Sequence, residues 1–278
     1  MRLVRFSADG AARVGALAHG SITELAGTWT DVLEQFSGGT AVRPATTGPF
    51  WTAADCTLRA PLPNASRPIF CMGMNYVDHE AEAGQPLGAV APAKPVVFVK
   101  QAEAMADPDE VLHLDGRLSE EFDWEVELAV IIGRPGRDIA PERVRDHIAG
   151  YTVLNDVTAR DLQRGHVQWF IGKNIHRSSP IGPWVTTADE IAYPPDLALT
   201  LTINGVEKQR ARTSELIFDI DTFVSTLSRY VELQSGDVFA TGTPAGVGFT
   251  RTPPEFLRSG DLMVAEIESI GRLENRVA

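Results

Sequence analysis

The run Asp123-Trp124-Glu125-Val126-Glu127-Leu128, continuing into Ala129-Val130-Ile131-Ile132-Gly133, constrains this chain more than any other stretch. Val126, Leu128 and Val130 alternate with Glu125, Glu127 and Ala129, a period that predicts a β-strand. Side chains on a strand alternate between faces, so Glu125 and Glu127 point the same way. Two carboxylates side by side repel each other. A hard cation between them removes the repulsion, because Mg²⁺, Mn²⁺ and Ca²⁺ prefer oxygen ligands. A third acid, Asp156, follows the run Tyr151-Thr152-Val153-Leu154-Asn155. The competing reading puts Glu125 and Glu127 on the solvated face of an edge strand, and pattern alone does not separate the two.

Composition narrows the function. Acids outnumber bases 37 to 25, a net charge of −12, which excludes the basic face that nucleic acid demands. It leaves room for a small anionic substrate, which needs only a few local cations. With 44% hydrophobic residues, the chain can bury a large core. Cys56 and Cys71 make no disulfide framework, and no Cys/His metal spacing occurs. The N-terminus lacks the apolar stretch of a signal peptide, and no uncharged apolar run approaches a membrane span. A cytoplasmic protein without membrane or nucleic-acid partners is the expectation.

Two units are expected. Residues 1–62 read as a small α/β domain: short strands over Leu3–Phe6, Ala11–Leu17 and Ser21–Glu24, a helix over Thr28–Phe36 with Thr28 or Thr30 near its cap, and a loop over 37–49. The proline-rich Ala60-Pro61-Leu62-Pro63 reads as a linker. Residues 63–278 form the larger domain. It carries a strand ending at Gly73, a helix over Tyr76–Ala83, a Pro/Gly/Ala loop over 84–95 and an apolar strand from Val96 closed by the cation Lys100. Further on come helices over Glu142–Ile148 and Ala159–Gln163, a tight turn entering a strand over Pro180–Val185, a hairpin at Asn204-Gly205 and a helix over Phe218–Tyr230. Strands over Asp237–Thr241, Leu262–Ile267 and Gly271–Val277 complete it. Short strands outnumber helices, which suggests a largely β core.

Other residues carry candidate chemistry. His79 and Glu82 lie three apart on one helix face, and a carboxylate that orients an imidazole makes it a better base. Alone, they also fit a solvated polar face. The Gly236–Gly248 stretch feeds a strand into a loop with Gly242, Gly246 and Gly248, whose N–H groups can face an anion. It matches neither a P-loop nor a dinucleotide fingerprint, and alone it reads as an ordinary turn. Arg160 can clamp a carboxylate and Lys173 can stabilise an oxyanion, although most such residues are surface cations. Serine hydrolysis lacks its GxSxG elbow, and the six histidines show no HExxH pattern.

Taken in order, Gly73-Met74-Asn75-Tyr76-Val77-Asp78-His79 with Glu82, Asp123–Leu128, Asn155–Asp161, Gly172-Lys173, Pro180–Pro183 and Thr241–Gly248 resemble the fumarylacetoacetate hydrolase family over residues 68–277. The resemblance implies a mainly β (α+β) fold, a mixed β-sandwich roll, assembled as a homodimer. It implies Mg²⁺ or Mn²⁺ (Ca²⁺ as a crystal substitute) on Glu125, Glu127 and Asp156, with His79 and Glu82 on a segment that orders over the site. Arg160, Gln163, Lys173, Gly242 and Thr243 would meet a small anionic 2-oxo acid. Two positions depart from the pattern: His176 where many members have Asp, and Met74 where many have a longer or cationic residue.

The first function implied is hydrolysis of a carbon–carbon bond in a 2,4-dioxo acid of the acylpyruvate type. Here the metal orients the 2-oxo acid end, His79 and Glu82 activate water, and Lys173 steadies the enolate left behind. The alternatives on the same platform are an oxaloacetate-type decarboxylase and an isomerase of an unsaturated 2-oxo dicarboxylate such as 2-hydroxyhepta-2,4-diene-1,7-dioate. A non-catalytic binding protein is the remaining class. Acyl specificity is expected from Gly84–Pro95 and the N-terminal unit.

Overall fold

The computed structural model describes residues 1–39, 44–62, 67–82 and 94–278. The chain begins with β1 (Arg2–Ala8), β2 (Ala11–Ala18), β3 (Ser21–Leu25), α1 (Trp29–Gln35), β4 (Thr46–Thr52) and β5 (Thr57–Arg59). β6 (Ile69–Gly73), α2 (Val77–Glu82) and β7 (Val96–Lys100) follow. The short strands β8 (Met105–Ala106), β9 (Val111–Leu112) and β10 (Phe122–Asp123) lead into β11 (Val126–Ile132). Then come β12 (Ile148–Asn155), β13 (Thr158–Ala159), α3 (Arg160–Gly165), α4 (Phe170–Lys173) and β14 (Ser179–Thr187). The chain finishes with β15 (Ala198–Ile203), β16 (Val206–Arg212), α5 (Ile220–Ser228), β17 (Val238–Ala240), β18 (Leu262–Ile267) and β19 (Gly271–Val277).

Among the described residues the strands form one large mixed sheet, in the order β4-β3-β2-β1-β14-β12-β11-β17-β6-β7 with β5 on β1 and β8 on β14, a smaller sheet, β16-β15-β18-β19-β9, and the pair β10-β13. β17 runs parallel to β6, and β19 parallel to β9. The two sheets share a core. Val126, Leu128 and Val130 of β11 meet the layer of Leu199, Leu201, Met263 and Ala265. Ala129 and Ile131, on the opposite face of β11, join Leu33 of α1, Cys71 of β6 and Ala240 of β17. This is the mainly β, mixed-sheet sandwich that the sequence implied. β11 pairs with β12 on one side and β17 on the other, so it is an interior strand. The solvated edge is thereby ruled out for Glu125 and Glu127.

Local sequence explains most elements. Thr28 and Asp31 cap α1 reciprocally: the Thr28 hydroxyl accepts from the Asp31 N–H, and the Asp31 carboxylate accepts from the Thr28 N–H. Asp219 caps α5 by accepting from the Thr222 N–H at 2.7 Å. Asn204 and Gly205, both at positive φ, turn β15 into β16 as the hairpin signal predicts. Three expectations change. Residues 46–49, the end of the proposed loop, belong to β4, which pairs with β3 as the outermost strand, where a ladder on one side suffices. Pro180–Val185 enters a strand as expected, but without the turn, since the whole stretch lies in β14. Pro183 follows Gly182, at the register shift against β12 where no ladder donor is required. Residues 141–147 wind as a 3₁₀ rather than an α-helix. Residues 84–93 of the proposed specificity loop, and Pro63 of the linker, lie outside the described residues.

Candidate active site

The start of β11 and the turn after β12 bring three carboxylates together. One oxygen from each of Glu125, Glu127 and Asp156 lies within 4.8 Å of the others, and all three residues are buried. Asn155 fixes the start of β11, its Oδ1 accepting from the Glu125 N–H at 2.9 Å. The Asp156 N–H donates to the Glu125 carbonyl at 2.8 Å, which locks the two acids in register.

Cations surround the cluster. Lys173 Nζ donates to Glu125 Oε2 at 2.6 Å and to Asp156 Oδ2 at 2.7 Å. Lys100 Nζ, fully buried, lies 2.6 Å from Asp156 Oδ1. Arg160 Nη2 lies 2.6 Å from Glu125 Oε1, and Arg160 Nε donates to Asp123 Oδ2 at 2.8 Å. These neighbours pull the two glutamates apart in acidity. Burial alone would push Glu125 up, but Lys173 and Arg160 hold it at about 2. Burial pushes Glu127 well above the ordinary carboxylate range, and Asp156 and Glu125 push it further. Burial alone would also lower Lys173, but Asp156 and Glu125 keep it strongly protonated. Lys173 therefore serves the cluster as a fixed counter-ion.

The loop from Thr241 to Phe249 presents its N–H groups to anions, and those anions belong to the protein. Gly242 N–H donates to Glu127 Oε2 at 2.8 Å, Gly246 N–H to Glu82 Oε2 at 2.9 Å and Gly248 N–H to Asp123 Oδ1 at 2.6 Å. Gly246 has φ of +103°, and a Cβ there would sit 2.1 Å from the Lys208 carbonyl oxygen, so the position needs glycine. The Thr243 hydroxyl is committed too. It donates to the Val126 carbonyl at 3.0 Å and accepts from Gln209 Nε2 at 2.8 Å.

α2 carries the dyad. His79 Nδ1 lies 2.9 Å from Glu82 Oε1, and the Thr250 hydroxyl donates to Glu82 Oε2 at 3.0 Å. Burial would raise the pKa of Glu82, but His79, the Gly246 N–H and Thr250 bring it below its ordinary value. Ionised Glu82 accepts from Nδ1–H, which leaves Nε2 as the basic nitrogen. The segment before α2 is fastened by Asn75, whose amide donates to the Thr241 carbonyl at 2.7 Å and whose oxygen accepts from the Phe218 N–H at 2.7 Å.

One cavity of about 210 Å³ joins these parts. His79, Glu125, Glu127, Arg160, Gln163, Lys173 and Thr243 line it. Asp156 lies beneath, against Lys173 and Lys100. Glu82 reaches the cavity through His79, and Gly242 through Glu127. The structure thus gathers the sequence candidates around one cavity. Met74 lines it with a left-handed backbone, φ +57°. His176 is exposed, and Lys173 finds its partners without it. Sequence reasoning missed Lys100, Asp123, Trp169 and Phe249. Lys100 signalled itself only as a cation closing an apolar strand, and Asp123 only by standing next to the paired acids.

Three buried carboxylates that repel one another, presenting hard oxygens within a few ångströms, fit a small divalent cation. Among the described residues no helix is long and apolar enough to cross a membrane.

Known proteins resemble this chain in sequence and fold. The family described as fumarylacetoacetate (FAA) hydrolase C-terminal matches residues 68–278, and the one described as Rv2993c-like, N-terminal, matches residues 1–61. Oxaloacetate tautomerase YisK of Bacillus subtilis is 40% identical over 227 residues, covering 82% of this chain and 75% of that protein. A fumarylacetoacetate hydrolase from Exiguobacterium antarcticum superposes with a TM-score of 0.86 at 36% identity, covering 100% of this chain and 99% of that one. A fumarylpyruvate hydrolase from Pseudomonas aeruginosa, solved with Mn²⁺ and pyruvate, superposes with a TM-score of 0.68 at 34% identity, covering 78% of this chain and 91% of its own.

Proposed function

Because the chain belongs to the fumarylacetoacetate hydrolase family, we propose that it is a divalent-metal-dependent enzyme that interconverts keto and enol forms of an oxaloacetate-type 2-oxo acid. One arrangement carries this reading: a histidine oriented by a buried carboxylate faces the same cavity as the Glu125, Glu127 and Asp156 cluster. The tautomerase activity named for the Bacillus subtilis relative supports it.

Glu125, Glu127 and Asp156 would hold Mg²⁺ or Mn²⁺, which supplies Lewis acidity toward the 2-oxo acid end of the substrate. His79 Nε2 takes a proton from the carbon next to the carbonyl as general base and gives it to the carbonyl oxygen as general acid, completing the enol, and the reverse reaction runs both transfers backwards. Glu82 holds the ring on Nδ1 and favours the imidazolium formed midway. Lys173 and Arg160 balance the charge of the carboxylates, so an anionic substrate enters a site that is not strongly negative. Phe98, Trp169 and Phe249 exclude water from the rest of the wall.

Carbon–carbon hydrolysis is the second reading. The same dyad can activate water, and the Pseudomonas aeruginosa neighbour is a fumarylpyruvate hydrolase. The deciding assay follows the ultraviolet enol band of freshly dissolved oxaloacetate, acetylpyruvate and fumarylpyruvate, each with Mg²⁺ and with EDTA. Metal-dependent loss of the oxaloacetate enol without release of pyruvate or carbon dioxide supports tautomerisation. Pyruvate released from an acylpyruvate moves the reading to hydrolysis, and carbon dioxide from oxaloacetate moves it to decarboxylation. No reaction with a metal-loaded protein would overturn all three. A homodimer in the cytoplasm is part of the same proposal, and sedimentation measures the oligomeric state.

A further inference from the structure

α3 places three polar side chains along one wall of the cavity. Arg160, Gln163 and Arg164 are spaced i, i+3 and i+4, so they share a helix face, and all three line the cavity. Arg160 is buried at the carboxylate cluster, and its Nη1 donates to Gln163 Oε1 at 3.0 Å. Arg164 stands one turn further out, a rise of about 6 Å along the axis. Its guanidinium pairs with Glu121, and the two side chains are 52% and 31% exposed.

The cations of this wall differ in availability. Arg160 is held by Asp123 and Glu125, and Lys173 by Glu125 and Asp156, all buried. Among the described residues that line the cavity, Arg164 is the cation whose partner faces solvent. Exposed pairs of this kind contribute only about 0–1 kcal/mol, so Arg164 can leave Glu121 for another carboxylate at little cost. Much of the remaining wall is apolar: Met72, Met74, Phe98, Trp169 and Phe249. A second carboxylate at the outer end of a substrate would be stranded there without a partner.

We propose that Arg164 is a specificity-determining residue that binds the distal carboxylate of a short 2-oxo dicarboxylate, taking it in place of Glu121. This rests on the reading of the cavity as a 2-oxo acid site. The substrate class is then a dicarboxylate whose two ends span from the cluster to one helical turn beyond it. Gln163, between the two arginines, lies along the connecting carbons. A monocarboxylic 2-oxo acid engages the inner end alone and gains nothing from Arg164.

Pyruvate and oxaloacetate share the 2-oxo acid end and differ by the distal carboxylate, so the pair isolates the contact. Titration calorimetry of the Mg²⁺-loaded protein measures binding without requiring turnover. The wild type is expected to bind oxaloacetate at least about tenfold more tightly than pyruvate. Arg164→Ala should erase that advantage with pyruvate affinity unchanged, Arg164→Lys should keep part of it, and Glu121→Gln should keep all of it. An advantage that survives Arg164→Ala, or an equal loss for both ligands, would overturn the proposal. A wild type that binds both equally well overturns the role of Arg164 and leaves the 2-oxo acid reading standing. A wild type that binds neither overturns that reading itself.

Discussion

The backbone N–H of Gly246 donates to the carboxylate of Glu82 at 2.9 Å, which ties the loop after β17 to the helix that carries His79. The loop holds Glu127 and Asp123 in the same way. It is therefore a frame for the acids of the site, built from backbone donors.

Thr250 is the side-chain member of that frame. Thr250→Val removes the hydroxyl that donates to Glu82 and leaves the Gly246 N–H in place. A bond to a charged group contributes about 1.5–3 kcal/mol, so kcat is expected to fall roughly tenfold or more with KM little changed. Thr250→Ser should restore it. A change confined to KM would separate Thr250 from the dyad.

Glu127→Gln should weaken Mg²⁺ binding by at least about a hundredfold, beyond the usual cost of changes outside the ligand set. Scanning calorimetry checks it. The wild type should gain about 2.7 kcal/mol of stability at a metal concentration one hundred times its Kd, and Glu127→Gln should gain almost none at that concentration. An unchanged gain would remove Glu127 from the ligand set.

Lys100→Met leaves Asp156 without one of its two buried cations. Breaking a buried pair from one side costs about 3–5 kcal/mol, so urea unfolding of the metal-free protein should shift by that order. Saturating Mg²⁺ should recover part of the loss. A variant as stable as the wild type would show that Lys173 alone balances the cluster.

Asp107 joins the early chain to the sandwich: Oδ1 accepts from the Ala60 N–H at 2.7 Å, and Oδ2 from Arg59 at 3.0 Å and Arg177 at 3.2 Å. Burial would raise its pKa, but these donors hold it below the ordinary carboxylate value. A depressed folded-state pKa contributes stability above the unfolded value, about 3.9, and loses it as pH falls through the lower folded value. Asp107→Asn should cost about 1–3 kcal/mol at neutral pH, and the difference from wild type should shrink below about pH 4. Urea unfolding at neutral and acid pH measures both. A difference that stays constant with pH would show that the charge of Asp107 is not what matters.

What was legible in the sequence was local. Alternation over Asp123–Leu128 put Glu125 and Glu127 on one face because the period of a strand is fixed by its backbone. The three-residue step from His79 to Glu82 is a helical step, and Asn204-Gly205 carries its own turn geometry. What was not legible depends on partners far along the chain. Glycine spacing marked 242–248 as a donor loop, but nothing local says that its N–H groups end on Glu127, Glu82 and Asp123. Lys100 reaches Asp156 only because β7 closes the far side of β6 and β17, a pairing no short pattern encodes. Residues 46–49 looked like loop because Gly48 and Pro49 interrupt them, yet the vacant edge of β3 was enough to order them.

The pairing of β17 with β6 also sets a timetable. The Asn75 amide meets the Thr241 carbonyl across 166 residues, and the Glu127 carboxylate meets the Gly242 N–H across 115. On the ribosome, β11 and β12 can pair early as neighbours, but their acids stay unframed until β17 has emerged. A nascent chain therefore carries repelling carboxylates beside a strand edge that β17 has yet to cover while the intervening residues are made, the condition under which long-range β pairing is slow and open to misassembly. A chain truncated between residues 173 and 238 would carry Glu125, Glu127 and Asp156 without the Gly242 N–H that holds Glu127.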